Sequence, residues 1–515
     1  MRQTVQVALL VVMFTTFCAS QLVRDPIPDS LVNEKRKVDL ERRIFKAEQD
    51  MMRRFRIYSP VVETYIQSLW PDTTAQMPLD DAYFLSRVSF RRYLLSEDNA
   101  QAMLFGSTKS SRQILADNGQ KGELSPNGLT FMLFVDIQDF DADTYRLTYL
   151  KSATLGTLNC SMFAVAPLKA KQPGRFKGII WVENAGFGIV RVKGTFQPVH
   201  MRRIQHLNPL GTSVGFFLHF DCWREMIAPD LWVPAYVTID DNVGWKALEG
   251  DVATDIHYKG RILVWGYSYS GSFQNRPIAL RDAVASSDPE LVNLEKDGII
   301  APSGAIEQSL DAIIEKISAR SHLNLPRVKC RILTTTPVEI FHTRHTIVVS
   351  RGFLEMVPDE STLAVFLAHE LAHVALETAN GAQYGPGHSL FDFSRLGEFQ
   401  GLGILNRPED EVRASALTCG ILNDSIYAAN IGEASAFVEQ LAAMSRRIPN
   451  LTKARVGFGL IDKDRPVHPL QSCVSSAQSV PQSPLQLRGR YLVGVSTGEL
   501  RSVPLGQPFQ AVEEK

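Results

Sequence analysis

The stretch LAHELAH at residues 367–373 places two histidines, His369 and His373, four positions apart and puts Glu370 directly after the first. On an α-helix, side chains at positions i and i+4 lie on the same face, so both imidazoles can reach one Zn²⁺ ion. Glu370 lies about 100° round the helix from His369, where it can take a proton from water held by the ion. The stretch therefore predicts a zinc site with an adjacent general base.

The surrounding sequence predicts the helix that this geometry requires. Residues 359–361 favour a helix start, residues 361–377 contain no Gly or Pro, and Asn380-Gly381 favours an end. A core helix whose two histidines only bond neighbouring groups is the alternative, but it buries two imidazoles and a carboxylate at a cost. Apolar residues at helical spacing predict a buried stripe beside the histidines: Leu363, Phe366, Leu367, Leu371 and Val374.

Two histidines and a water leave zinc one protein ligand short of its preferred tetrahedron. An H-x-x-G-x-x-H continuation does not occur, which excludes a third histidine at that spacing. Pro408 and three following acids suit the first turn of a second helix, predicted to run to about residue 430. By chemistry alone, Glu409, Asp410 and Glu411 are all candidates for the third ligand.

The two motifs together resemble a known family. H-E-x-x-H on one helix, followed by Glu-Val-Arg-Ala-Ser at residues 411–415 on the next, is similar to the signature of the HtpX-like and CAAX-prenyl-endopeptidase-like zinc metallopeptidases. The resemblance covers about residues 290–475, including an amphipathic helix at 306–317 and the segment 346–354. It implies a mostly helical zincin-type metallopeptidase domain with a small edge-stranded sheet.

The resemblance also implies roles for individual residues. It selects Glu411 as the third ligand beside His369 and His373, with one Zn²⁺ per chain and Glu370 as the general base of peptide hydrolysis. His468, in Val-His-Pro at 467–469, is the implied donor to the developing oxyanion, with an ordinary loop histidine as the alternative. Polypeptides are the implied substrates, and quality control of envelope proteins is the implied setting.

The chain departs from the family pattern at two places, and one strand is assigned to the substrate. Ser415 stands where the family has an Asp that supports the metal site, and residues 339–342 replace an Asn-Ala-Phe stretch. His342 and His345 are not expected to bind the metal, and His388 is expected in a loop, with a place beside the site as the alternative. We predict an edge strand that pairs with an extended substrate through His345, Thr346, Ile347 and Val348.

Short β-rich runs separated by turn residues extend from about residue 125 to 270, which predicts antiparallel strands curling into an incomplete barrel. These runs are at 130–135, 145–150, 177–182, 188–196 and 214–220. Residues 174–194 and 219–236 resemble the LolA-like lipoprotein-carrier fold, which implies an apolar surface for an acyl chain or lipoprotein. A domain that only scaffolds the peptidase is the alternative.

The whole chain is predicted to be an α+β multidomain protein. Residues 1–20 resemble a secretory signal peptide, so the protein is expected to be exported to a periplasm or secreted, with an uncleaved membrane anchor as the alternative. A charged helical N-terminal region (21–114) precedes the LolA-like β-domain (115–280), the zinc metallopeptidase domain (285–475) and a tail (476–515). Within the first region, an amphipathic helix at about 31–57 is expected to dock on the body of the protein or to make peripheral membrane contact.

Composition limits the classes of function. A net charge of −1 in 515 residues gives no electrostatic case for nucleic-acid binding. The spacing of the six cysteines matches no metal-binding pattern. The sequence leaves two alternatives for them, disulfides or buried free thiols. The leading hypothesis is an exported zinc endopeptidase acting on misfolded or envelope proteins. The alternative is a lipid- or lipoprotein-binding, chaperone-like envelope protein with a degenerate metallopeptidase module.

Overall fold

The structure is a computed structural model, and it describes two connected units: a large antiparallel sheet with one helix, and a mainly helical unit with a small sheet. None of the helices in the described part of the chain is long and apolar enough to span a membrane. The described residues are 34–69, 78–88, 130–137, 139–169, 175–196, 219–249, 252–267, 291, 294–295, 298–319, 321–322, 324–343, 345–380, 408–452, 491–495 and 498–502.

Nine strands form the large sheet in the order β2-β1-β9-β8-β7-β6-β5-β4-β3, and every neighbouring pair is antiparallel. Because β2 and β3 are its two edges, the sheet is open, and this confirms the predicted incomplete antiparallel barrel. The strands are β1 (Val61–Leu69), β2 (Pro78–Arg87), β3 (Tyr145–Leu155), β4 (Leu158–Pro167), β5 (Phe176–Glu183), β6 (Ile189–Phe196), β7 (Phe220–Ala228), β8 (Leu231–Glu249) and β9 (Val252–Trp265).

The sheet begins earlier in the chain than the sequence indicates. Strands β1 and β2 come from the region predicted to be helical, and β1 joins the sheet by pairing with β9. The predicted β-run at 130–135 is wrong, since Thr130–Leu133 forms a 3-10 turn instead. Its apolar residues Met132, Leu133 and Phe134 are buried in the core. The apolar composition of this run therefore indicates that it is buried, but it does not indicate a strand.

The predicted N-terminal amphipathic helix is present as α1 (Glu34–Phe55) and docks on the large sheet. Its apolar residues recur at helical spacing and are buried in the same core as the strands: Ile44, Phe45, Met51, Met52 and Phe55. A buried ion pair fixes the helix, because both terminal nitrogens of Arg224 in β7 donate to the carboxylate of Glu48 at 2.6 and 2.7 Å. The helix α1 therefore covers part of the sheet's apolar face, and a surface for an acyl chain stays a prediction.

The second unit surrounds the helix that carries His369 and His373. It comprises α2 (Ala305–Ser318), β10 (Lys329–Leu333), β11 (Ile340–Thr343), β12 (Thr346–Ser350), α3 (Arg351–Met356), α4 (Glu360–Asn380), α5 (Pro408–Asn423), α6 (Ile431–Met444) and α7 (Pro449–Thr452). The helix α5 ends before the predicted position 430. All residues of the predicted apolar stripe on α4 are buried, and all but Val374 lie in one cluster with the apolar residues of α2 and α6.

The small sheet corrects one prediction. Its order is β10-β12-β11, so β12, which contains Thr346, Ile347 and Val348, is the central strand and not an edge. The strand is buried throughout, and this explains its apolar sequence. The edge strand that faces α4 is β11, so a substrate cannot pair with β12 as predicted. His345 is exposed and lies before β12, and its carbonyl accepts a hydrogen bond from Lys329 N.

A buried ion-pair network joins the two units. The guanidinium of Arg351 in α3 bonds Glu63 in β1 at 2.5 Å and Glu355 at 2.8 Å. Glu355 also pairs with Arg261 of β9 at 2.8 Å, and Glu63 accepts from Thr336 N and Thr336 Oγ1. Since Arg351, Glu63 and Glu355 are all fully buried, each charge needs its partners.

The C-terminal tail returns to the body of the protein. Strands β13 (Tyr491–Val493) and β14 (Leu500–Ser502) form a hairpin, consistent with the strand-like pattern there, and Val493 and Val495 are buried in the core of the large sheet. Among the described cysteines, Cys160, Cys222 and Cys330 are free and buried. Cys419 is disulfide-bonded.

Candidate metal centre

Two helices bring the predicted ligands together. His369 and His373 lie one turn apart on α4, and Glu411 lies in the first turn of α5, which packs against α4. One ligand atom of each residue lies within 4.8 Å of the other two. In detail, Nε2 of His369 is 3.3 Å from Oε2 of Glu411, and Nε2 of His373 is 3.4 Å from Oε1.

The chemistry of these three residues fits a metal ion. Thr418 Oγ1 donates to the carbonyl of Ala414 at 2.7 Å, so it accepts from Nδ1 of His369 at 3.2 Å. That bond leaves the lone pair of His369 Nε2 directed at the centre. Nε2 of His373 is buried and forms no hydrogen bond to any described residue. A buried ring nitrogen without such a bond is costly unless it has a ligand, and a metal ion would provide one.

Glu370 lies beside this centre and is held by a residue of the edge strand β11. Nδ1 of His342 donates to Oε2 of Glu370 at 2.7 Å, and Nε2 of His342 lies 3.1 Å from Oε1 of Glu377. The ring of His342 stacks on that of His373, with centroids 5.1 Å apart and planes 13° apart. Glu370 is thus buried and oriented by a hydrogen bond, and it is not one of the three clustered ligands.

Protonation in the site follows from burial and these contacts. Burial raises the pKa of Glu370, but the hydrogen bond from His342 and the charges of the neighbouring histidines outweigh burial, so its pKa is below the ordinary value. Burial lowers the pKa of His373, which favours the neutral imidazole that a metal requires. Burial would also lower the pKa of His342, but its hydrogen bonds to Glu370 and Glu377 raise it to about 9.

The other predicted site residues are placed as follows. Ser415 is fully buried one turn after Glu411 on α5, and its supporting role stays a prediction. The side chains of Glu409 and Asp410 lie outside the described part of the structure, as do His388, His468 and the segment 1–20.

Sequence reasoning missed three residues of the site. His342 was not expected to bind the metal, and its contact with Glu370 was not predicted. Glu377 lies seven residues after Glu370 on α4, and Thr418 lies seven residues after Glu411 on α5. A spacing of seven returns a side chain to nearly the same helix face, so this spacing is the signal that could have identified Glu377 and Thr418.

Comparison with known families supports a peptidase. The family model described as peptidase family M48 matches residues 305–392, which include α2, the small sheet and α4 with His369, Glu370 and His373. The match ends before Glu411, so it is silent about the third ligand. No curated protein matches the chain. The match supports a metallopeptidase in this part of the chain.

Two solved structures show a distant likeness to this chain. A DUF1329 family protein from Desulfovibrio piger is 13% identical, with a TM-score of 0.22, and the alignment covers 46% of this chain and 94% of that one. A LolA superfamily protein from Nitrosomonas europaea is 10% identical, with a TM-score of 0.18 and coverage of 44% and 92%. TM-scores of this size carry no inference about function.

Proposed function

We propose that this protein is an exported zinc-dependent endopeptidase that hydrolyses peptide bonds of misfolded or envelope proteins. The observation that carries the proposal is the cluster of His369, His373 and Glu411 ligand atoms within 4.8 Å, with the carboxylate of Glu370 beside it. This is a three-ligand set of the kind that catalytic zinc sites use, and structural zinc sites more often use cysteine.

The residues of the site divide the chemistry among them. His369, His373 and Glu411 would hold the ion, which when bound supplies Lewis acidity toward water and the scissile carbonyl. The carboxylate of Glu370, ionised at neutral pH, accepts the proton of the attacking water and passes it to the leaving amine. His468 is the proposed donor to the oxyanion, by resemblance alone.

The substrate is proposed to bind along β11. Among the described strands, it pairs with β12 alone, and it carries His342 next to Glu370. An extended peptide can add to such an edge through main-chain hydrogen bonds, which suits substrates of varied sequence. The proposal replaces the predicted pairing with Thr346, Ile347 and Val348.

Export is supported by the disulfide of Cys419, because disulfides persist in oxidising compartments. An acyl chain or lipoprotein on the β-domain, and peripheral membrane contact by α1, belong to the alternative function, a lipid-binding or chaperone-like protein. The observation that favours this alternative is Ser415 in place of the family's Asp. Losing such a supporting residue typically costs about ten- to a hundredfold in metal affinity or activity.

The test is casein cleavage by the full chain beside Glu370→Gln, each assayed for bound zinc. We expect both to hold zinc and only the wild type to cleave, with at least about a hundredfold loss in Glu370→Gln. A chelator should abolish cleavage, and added zinc should restore it. If both proteins hold zinc and neither cleaves, the binding-protein alternative is favoured; if the wild type holds no zinc, the proposal is wrong.

A further inference from the structure

His342 connects two carboxylates that belong to one helix. Glu370 and Glu377 are seven residues apart on α4, so their side chains project from nearly the same face, two turns apart. The imidazole of His342 lies between them, with Nδ1 2.7 Å from Glu370 Oε2 and Nε2 3.1 Å from Glu377 Oε1. A residue of the edge strand thereby bonds the proposed general base from outside its helix.

The contacts of His342 restrict its ring strongly. The residue is buried at 1% exposure, and its ring stacks on that of His373. Its neighbours in β11 pair with β12, with His342 opposite Ile347, so the backbone is fixed as well. With the ring plane set by stacking and both nitrogens engaged, the direction from which Nδ1 reaches Glu370 is fixed.

We propose that His342 is a positioning residue for peptide hydrolysis: it holds Glu370 by Oε2 and so leaves the other carboxylate oxygen to accept the proton of the attacking water. Glu377 in turn holds His342 through Nε2. The inference rests on the proposed function and adds two residues to its machinery. Fixing the orientation of a general base matters because misplacing a reacting group by about 1 Å can cost about a hundredfold in rate.

Two amide substitutions separate the two hydrogen bonds of His342. An asparagine amide nitrogen lies near the place of imidazole Nδ1, and a glutamine amide nitrogen lies near that of Nε2. His342→Asn therefore keeps a donor for Glu370, and His342→Gln keeps one for Glu377. His342→Phe keeps the aromatic ring beside His373 and removes both donors.

The experiment measures kcat, KM and bound zinc for the full chain and these three variants. We expect His342→Asn to retain kcat within about threefold of the wild type, and His342→Gln and His342→Phe to lose about ten- to a hundredfold. KM and zinc content should stay within about twofold in all of them. Equal kcat in the Asn and Gln variants, or losses that follow zinc content or KM alone, would overturn the proposal.

A second measurement tests the contact without relying on activity. Thermal unfolding of the metal-free proteins gives the shift in Tm caused by Glu370→Gln in the wild-type and His342→Gln backgrounds. If Nδ1 of His342 bonds Glu370, the shift in the wild type is absent or much smaller in the His342→Gln background. Equal shifts in both backgrounds would contradict the bond. A wild type that cleaves nothing would contradict the proposed function. The comparison of Tm shifts would still decide whether His342 holds Glu370.

Discussion

At the scale of single residues, the orientation of His369 in the candidate metal centre depends on a side chain that is not itself a proposed ligand. The hydroxyl of Thr418 donates to Ala414 O and accepts from His369 Nδ1, which leaves His369 Nε2 free to face Glu411. Hydrogen bonds that orient a metal-binding histidine typically change metal affinity by about ten- to a hundredfold.

Thr418→Val should therefore weaken zinc binding about ten- to a hundredfold, because it removes the hydroxyl and keeps the shape of the side chain. Thr418→Ser, which keeps the hydroxyl, is the matched control and should bind zinc almost as tightly as the wild type. Competition with a chromophoric chelator measures both affinities. Equal affinities for the two variants would show that Thr418 does not orient His369.

The residues of the site differ in how far sequence could locate them. His369, Glu370 and His373 lie on one helix, so their spacing alone predicted that they would be neighbours. Glu411 came from the resemblance, because its approach to α4 depends on how α5 packs. The sequence could not identify His342 as a neighbour of Glu370, because the two residues are 28 positions apart and meet only through the packing of a strand on a helix.

At the scale of elements, the edge strand β11 is the strand with which we propose that a substrate pairs. The sequence predicted an edge strand that includes His345, Thr346, Ile347 and Val348. Both β11 and β12 are short, and a sequence pattern cannot order two such strands within a sheet. The order β10-β12-β11 places Ile340–Thr343 at the edge of the sheet that the described strands form.

Hydrogen exchange on Glu370→Gln with a bound peptide substrate should therefore show new protection at Ile340–Thr343. The central strand Thr346–Ser350 should show no gain, because its main chain is already paired on both sides. The opposite edge, Lys329–Leu333, is the internal control. Protection that appears at Lys329–Leu333 and not at Ile340–Thr343 would place the substrate elsewhere.

A second element-scale feature is the contact between β2 and the short helix α7. The carboxylate of Asp81 accepts hydrogen bonds from Asn450 N at 2.9 Å, Leu451 N at 2.8 Å and Tyr65 Oη at 3.1 Å. Burial raises the pKa of Asp81 to about 6, although these hydrogen bonds lower it.

A folded-state pKa above the unfolded value means that the native protein binds the proton more tightly. The protonated carboxyl of Asp81 therefore raises the free energy of unfolding by roughly 2–3 kcal/mol below about pH 4. This contribution is lost as the pH rises through about 6. Thermal unfolding of metal-free wild type and Asp81→Asn should show the wild type losing stability relative to the variant between pH 4 and pH 6. A difference that does not change with pH would mean that Asp81 has an ordinary pKa.

At the scale of the whole molecule, the two units are joined by buried charges. Arg351 bonds Glu63 of the large sheet and Glu355 of its own helix, and Arg261 of the sheet completes the network through Glu355. Arg351 directly follows the central strand β12 of the small sheet. The unit with the large sheet and the mainly helical unit are therefore expected to be stable when joined and unstable when separated.

Arg351→Met should destabilise the protein by about 3–5 kcal/mol, because it leaves Glu63 buried without its cation. Adding Glu63→Gln should recover part of that loss. The exposed pair Lys316–Glu360, with side chains 48% and 51% exposed, is the control, and Lys316→Met should cost less than about 1 kcal/mol. Chemical unfolding measures all four proteins; equal costs for Arg351→Met and Lys316→Met would contradict this account of the network.

The central claim is a zinc centre held by His369, His373 and Glu411 with Glu370 outside the ligand set. The most direct test is the zinc content per chain of the purified wild type and of single variants of each acid. We predict about one zinc in the wild type, Glu370→Gln, Glu409→Gln and Asp410→Asn, and a large loss only in Glu411→Gln. Retention of zinc by Glu411→Gln with its loss from Glu409→Gln or Asp410→Asn would contradict the assignment, and a wild type without zinc would contradict the centre itself.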